Sequence, residues 1–404
     1  MPFSSSSKGL QGGVVLLAWA SSFAAHARAA PCEEVSESVV VTGSSAIKPL
    51  LAELGQLLEV PTSETVGATR VYYKGAGSCT GIEAMLDPES FQPETLQYWT
   101  ASGTEIECEL DPTDSTAARI GVSDVFPATC TNLPNGLPSN VADFLGPVQV
   151  MTFVVPQAST QTNISAEAAY YVYGFGSASG VTPWNDPDFI FQRNDQSGTQ
   201  RMVSAAIGVG ASRWKGTETS GTGDLLQRLL ASNGDGAERT IGILSASSAQ
   251  DNRSTLTTLA YQDVGGECAV LPDRTPLSSE KENVRNGRYP IWGPLHLLAN
   301  VDSNRRPTSQ SVESVISFFL GTAQPIPGLD LIQLQAERHI IPQCAMGVSR
   351  SYEMGPLSPA APAQPCGCYY EAVANGSSSC SACAANRDCE ASEICSYGYC
   401  ETLQ

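Results

Sequence analysis

FIFQRNDQSGTQRMVSAAIGV, residues 189–209, sets an arginine, a carboxylate and two hydroxyls between a β-prone run and a helical one. Phe189, Ile190 and Phe191 read as a strand that ends at Arg193. Asp195, Gln196, Ser197, Gly198 and Thr199 read as a turn. Met202, Val203, Ala206 and Ile207 then recur at helical spacing. The first N–H groups of a helix have no intrahelical partner, and the aligned peptide dipoles make that end positive. A Gly- or Ser-bearing turn at that point admits an oxyanion. Arg193 fits two roles: a permanently charged fork for oxyanion oxygens, or a surface ion pair with Asp195.

Two earlier stretches repeat the grammar. SVVVTGSSAIKPLLAELGQLL, from residue 38, is a Val-rich run, a small-residue turn, then Ile47, Leu50, Leu51, Leu54 and Leu58 at helical spacing. RVYYKGAGSCTGIEAML, from residue 70, is strand, Gly/Ser turn and helix. Strands alternating with helices predict an α/β fold. The runs at 146–156 and 288–301 are long and β-rich, and a helix is expected over 309–320. Residues 157–180 and 211–236 are Gly/Ser/Thr-rich and read as surface loops. Residues 355–365 read as a Pro/Ala linker.

The chain has 404 residues, enough for more than one domain. Its first 30 residues read as a secretory leader: Lys8, the apolar VVLLAWASSFAA, and an A-x-A site at Ala27-Arg28-Ala29. That reading places the protein in the periplasm, or secreted to the cell surface. The formal net charge is −19, and losing Lys8 and Arg28 with the leader makes the remainder two units more negative. Such a surface argues against nucleic acid or anionic lipid as a partner. An anion site here must work through local groups, because distant charge is screened within about 8–10 Å. Thirteen cysteines in an exported chain imply disulfides, with one thiol left over or paired between chains. Six lie before residue 345 and seven after residue 365.

IGVSDVF, residues 120–126, ends an apolar run on Ser123-Asp124. A turn aspartate is the plain reading. In an anion pocket, however, a carboxylate accepts a hydrogen bond from a protonated oxyanion and repels one without a proton.

Together these residues resemble the phosphate-binding proteins of Pst-type ABC importers. The family's R-x-D-x-S-G-T signature matches Arg193, Asp195, Ser197, Gly198 and Thr199. Its opening motif matches Thr42-Gly43-Ser44-Ser45-Ala46-Ile47-Lys48-Pro49, its second turn Gly77-Ser78, and its G-A-S-D-A motif Gly121-Val122-Ser123-Asp124-Val125. Trp184-Asn185-Asp186-Pro187 and the echoes at 241–244 and 289–295 follow in family order over roughly residues 38–345. The resemblance implies a two-lobed type II periplasmic-binding-protein fold with two crossing hinge strands. Lobe 1 would span 31–147 and 290–350, and lobe 2 would span 148–289. A linker at 351–365 and a disulfide-rich module at 366–404 would follow. It implies inorganic phosphate as ligand, bound by Ser45, Ala46, Ser78, Asp124, Arg193, Asp195, Ser197, Gly198 and Thr199, with Asp195 orienting Arg193 by ion pairing. It implies a Pst-type membrane permease as partner, a monomer, and no cofactor, metal or catalysis. The chain departs from the pattern in its first turn, where the family usually carries a hydroxyl at the place of Ala46 or Ile47, and at Gln196, where it often has Gly.

The tail, CAANRDCEASEICSYGYC at 383–400, resembles the C-x5-C-x5-C-x4-C modules of exported bacterial proteins, notably of myxobacteria. It is too small for a core and needs disulfides; its C-x-C and C-x-x-C spacings also permit a zinc site. Three rival functions are a phosphatase using the same cradle, a surface adhesion protein that kept the fold, and a binder of another oxyanion, against which Asp124 argues. Beyond the leader only His296 and His339 are available as imidazole bases, and no H-x-x-x-H or G-x-S-x-G element occurs.

Overall fold

The computed structural model describes residues 1, 30–32, 35, 37–60, 68–110, 117–322 and 329–402. The leader therefore lies almost wholly outside the described residues.

All three strand–turn–helix units form. Ser38–Gly43 leads into the Lys48–Leu58 helix and Arg70–Gly75 into the Ser78–Leu86 helix. In the first helix Leu50, Leu51, Leu54 and Leu58 are buried, each worth roughly 1.5–3 kcal/mol of apolar burial. The third unit has less strand than expected. The strand is only Phe191–Gln192, paired with Thr217–Glu218 and preceded by a single bridge from Ile190 to Ile241, because Asp186 caps a 3-10 turn that takes up Pro187–Phe189. Its helix is Gly198–Ile207.

Among the described residues ten strands join in one sheet. Ser38–Gly43 lies between two parallel neighbours, Arg70–Gly75 and Ile120–Ser123. Ile120–Ser123 then pairs antiparallel with Trp292–Asn300. The 16-residue strand Val141–Pro156 is bonded to Trp292–Asn300 as far as Val150, then to Gly242–Ser245 and Leu256–Thr258. These two long strands cross between two α/β lobes. Period-two alternation sorts the first lobe's side chains. Val39, Val41 and Leu297 enter one buried cluster, whereas Val40, Ile82 and Leu298 enter another on the opposite face. Phe153, Tyr173, Val203 and Ile243 belong to a third cluster in the second lobe.

The stretches read as loops hold two further helices. Ala166–Phe175 starts from Ser165, whose hydroxyl caps Ala168 N. Thr222–Ala231 buries Leu225 and Leu229, an i,i+4 pair set in a polar sequence. Six disulfides join Cys32–Cys108, Cys79–Cys130, Cys344–Cys366, Cys368–Cys380, Cys383–Cys395 and Cys389–Cys400. The remaining cysteine, Cys268, is exposed. The Cys383, Cys389 and Cys400 sulfurs cluster but are all held in disulfides.

The tail is more integrated than its spacing suggested. Cys344–Cys366 bonds it to the body, and Cys366 and Tyr370 are fully buried in the same cluster as the second lobe's core. Its helix, Gly367–Asn375, packs on the Leu331–Glu337 helix. Arg274 donates to Glu371 at 2.8 Å, Asn375 donates to Glu280 at 2.7 Å, and the Tyr369 hydroxyl donates to Asp330 at 2.5 Å. Even the Pro/Ala segment is fastened, with Ser358–Pro359 pairing to Val348–Ser349.

Candidate functional site

Asp124 follows the Ile120–Ser123 strand and is 2 % exposed. Its Oδ2 accepts from Ser44 Oγ at 2.6 Å and from Ser78 Oγ at 3.1 Å. Ser78 Oγ in turn accepts from Asp124 N at 3.0 Å. The other carboxylate oxygen, Oδ1, is buried without a hydrogen-bond partner. Burial raises the Asp124 pKa above the ordinary carboxylate range; the two serine hydroxyls, Arg193 and His296 oppose that shift.

Arg193 comes from the other lobe and is 5 % exposed. Its Nη1 donates to Thr222 Oγ1 at 2.8 Å and to Ser45 Oγ at 3.4 Å. Its Nε is buried without a partner. Burial lowers its pKa, against the charges of Asp124, Tyr73 and Asp224. Ser45 Oγ and Thr222 Oγ1 lie 3.0 Å apart, so one hydroxyl pair spans the lobes.

Backbone closes the seam beside these side chains. Cys79 N donates to Gln196 O at 3.1 Å across the lobes. Gly77, at φ +103°, has room only for hydrogen, since a Cβ would stand 2.7 Å from Gln196 O. Gly198 is tighter still, with a Cβ position 2.1 Å from Ser78 Oγ and 2.8 Å from Asp124 Oδ2. Ser197 caps the Gly198–Ile207 helix through Gln200 N, and both Ser197 and Thr199 are buried. The starts of the Ser78–Leu86, Gly198–Ile207 and Thr222–Ala231 helices thus gather around Asp124 and Arg193. The positive ends of their dipoles suit an anion.

The structure brings Ser45, Ser78, Asp124, Arg193, Ser197, Gly198 and Thr199 together. Two expected roles differ. Asp195 forms no ion pair with Arg193; it accepts from Gln196 Nε2 at 3.0 Å and lines a separate cavity together with Gln192 and Glu218. Gln196, where the family often has Gly, therefore occupies the carboxylate, and Thr222 and Ser45 hold the guanidinium instead. The Ala46 N–H donates to Ser44 Oγ at 3.1 Å within its own turn. Thr222 was missed because its TSGTGD context reads as loop. The signal that could have found it is the i,i+4 pair Leu225 and Leu229, which makes the preceding Gly221-Thr222 a helix start. Tyr73 was also missed; its hydroxyl donates to Ser44 O at 2.6 Å and fixes the first turn.

Two carboxylates flank the site. His296, fully buried, shares a 2.7 Å hydrogen bond with Asp143 across the crossing strands. Glu353 accepts from Phe126 N at 3.4 Å, and burial pushes its pKa up to about 7.

No family model matches the chain, and neither does any curated protein. Solved structures do. A Clostridium perfringens protein assigned as a phosphate ABC transporter substrate-binding protein, solved with bound phosphate, superimposes with a TM-score of 0.50 at 16% identity, covering 76% of this chain and 99% of that one. An ABC-type phosphate transport receptor from Vibrio cholerae gives a TM-score of 0.46 at 14% identity, covering 76% and 99%. The chain thus shares the fold of the Clostridium perfringens protein over three-quarters of its length, with a disulfide-bonded C-terminal region added. Among the described residues no helix is long and apolar enough to cross a membrane.

Proposed function

We propose that this chain is an exported solute-binding protein that captures inorganic phosphate between its lobes and delivers it to an ABC-type permease. One observation carries the reading. Asp124 Oδ1, an acceptor, and Arg193 Nε, a donor, are both buried without partners at one seam. Buried polar atoms are nearly always paired, and leaving a charged one unpaired is costly. A hydrogen phosphate supplies both partners: its O–H donates to Asp124, and its other oxygens accept from Arg193 and the helix N–H groups. Sulfate brings the same oxygens and no proton. Groups from both lobes complete the contact set only when the cleft is shut, so the ligand favours closure.

The binding role is favoured over hydrolysis because the nearest imidazole, His296, is tied to Asp143. His339 is held neutral, its pKa lowered to about 4 by burial. The test is calorimetry of phosphate and sulfate on the wild type and Asp124→Asn. The amide keeps the size, removes the charge and adds a donor. Phosphate affinity should change modestly while sulfate affinity rises, narrowing the ratio between them. A variant that loses phosphate yet still rejects sulfate would remove Asp124 from selection.

A further inference from the structure

Beside the clamp lies a cavity of about 240 Å³ between the end of the Arg70–Gly75 strand and the start of the Lys48–Leu58 helix. Ser45 and Tyr73 form its inner wall, and both also serve the clamp: Ser45 faces Arg193, and the Tyr73 hydroxyl holds the Ser44 carbonyl. Lys48, Lys74, Thr95 and Glu107 line the rest. The chain has only five lysines, at 8, 48, 74, 215 and 281, against 41 carboxylates. Lys281 is fully buried and bonded to Asp273. Two of the others therefore line one small cavity next to the anion clamp.

The two ammonium groups differ. Lys48 Nζ is paired with Glu105 at 2.8 Å. Lys74 Nζ donates only to the neutral Thr95 hydroxyl, at 3.2 Å, with no carboxylate at ion-pair distance among the described residues. At about 30 Å³ per water, the cavity holds the volume of about eight waters, room for a second phosphoryl-sized group. Glu107 contributes a carboxylate to the same cavity, which weakens its pull on anions without cancelling the unneutralised Lys74.

We infer that this cavity is a second anion subsite that shares Ser45 with the clamp as a common wall. The ligand class then extends from orthophosphate to phosphates that carry a second anionic group, pyrophosphate being the simplest. The inference rests on the phosphate reading of the clamp. One phosphoryl group sits against Arg193 and Asp124, and the second lies beyond the Ser45 side chain against Lys74.

Calorimetry on the full chain with orthophosphate, pyrophosphate and methyl phosphate tests it. Lys74→Gln should weaken pyrophosphate by about fivefold, the scale of one part-exposed charge contact, and shift orthophosphate by less than about twofold. Glu107→Gln should strengthen pyrophosphate by a similar factor. Methyl phosphate, which fills space without a second anionic group, should be indifferent to both substitutions. Orthophosphate binding with pyrophosphate excluded, or equal losses for both ligands in Lys74→Gln, would overturn the subsite while leaving the clamp intact. Failure of orthophosphate itself would instead remove the phosphate reading on which the subsite depends.

Discussion

Gly198→Ala should separate lobe stability from ligand binding. The Cβ position at Gly198 is 2.1 Å from Ser78 Oγ and 2.8 Å from both Ser78 Cβ and Asp124 Oδ2. Rotating the Ser78 hydroxyl away gives no relief, because its Cβ stays too near. The rotation also strips Ser78 Oγ from Asp124 N, now bonded at 3.0 Å, and a buried N–H without a partner costs about 1–3 kcal/mol. The lobes must then also part by roughly 1 Å at this point, enough to bring the remaining contacts toward van der Waals separation. That stretches the interlobe bond from Cys79 N to Gln196 O, now 3.1 Å, at a further cost of about 1 kcal/mol. Closure is therefore penalised by about 2–4 kcal/mol, a loss of roughly 30- to 1,000-fold in phosphate affinity. Each lobe keeps its core, and Ala at a helix start is a better helix former than Gly. Calorimetric titration alongside thermal unfolding without ligand reads both quantities. Phosphate affinity within about twofold of wild type, at unchanged unfolding temperature, would refute the closed seam as the binding state.

Arg193→Ala should cost about 2–5 kcal/mol of phosphate binding, because it strands charge in the cleft; calorimetry showing less than about 1 kcal/mol would place Arg193 outside the contact set. Thr222→Val removes the hydroxyl that holds Arg193 at 2.8 Å, so phosphate dissociation in stopped flow should quicken roughly tenfold, and Thr222→Ser should restore it. Glu353 has a folded pKa raised from 4.5 to about 7, so its stabilising contribution is complete below pH 4.5 and is lost as pH rises through 7. The ceiling is about 3 kcal/mol; Glu353→Gln should flatten that pH dependence and unfold at a higher temperature than wild type at pH 8.

Much of this was legible in the chain because local chemistry carried it. The Leu50–Leu58 repeat, the valines of residues 39–41 and the Gly/Ser turns each need only near neighbours to be read. Arg193, Asp124, Ser78 and Gly198 could be named because a motif keeps them in order, although their meeting is a tertiary fact. What escaped depends on partners far along the chain. Asp195 and Arg193 are two residues apart, yet they diverge because Gln196 competes for one and Thr222, 29 residues on, for the other. The two helices hidden in Gly/Ser-rich stretches show tertiary burial overriding composition: Leu225 and Leu229 matter more than the glycines beside them. The tail read as a separate module because cysteine spacing is visible and the burial of Tyr370 is not.

The seating of Tyr370 and Cys366 also bears on how the polypeptide matures. Chains emerge N-terminus first, and domains generally fold as they become available. Here the apolar cluster around Phe153, Tyr173 and Tyr289 is finished by two residues more than 75 positions downstream of Tyr289. Arg274, Glu280 and Asp330 wait on the same late helix for their partners. The tail therefore acts as a keystone. A product cut short before Cys366 would carry an unpaired Cys344 and an open flank on one lobe, marking it for proteases before it could compete for ligand.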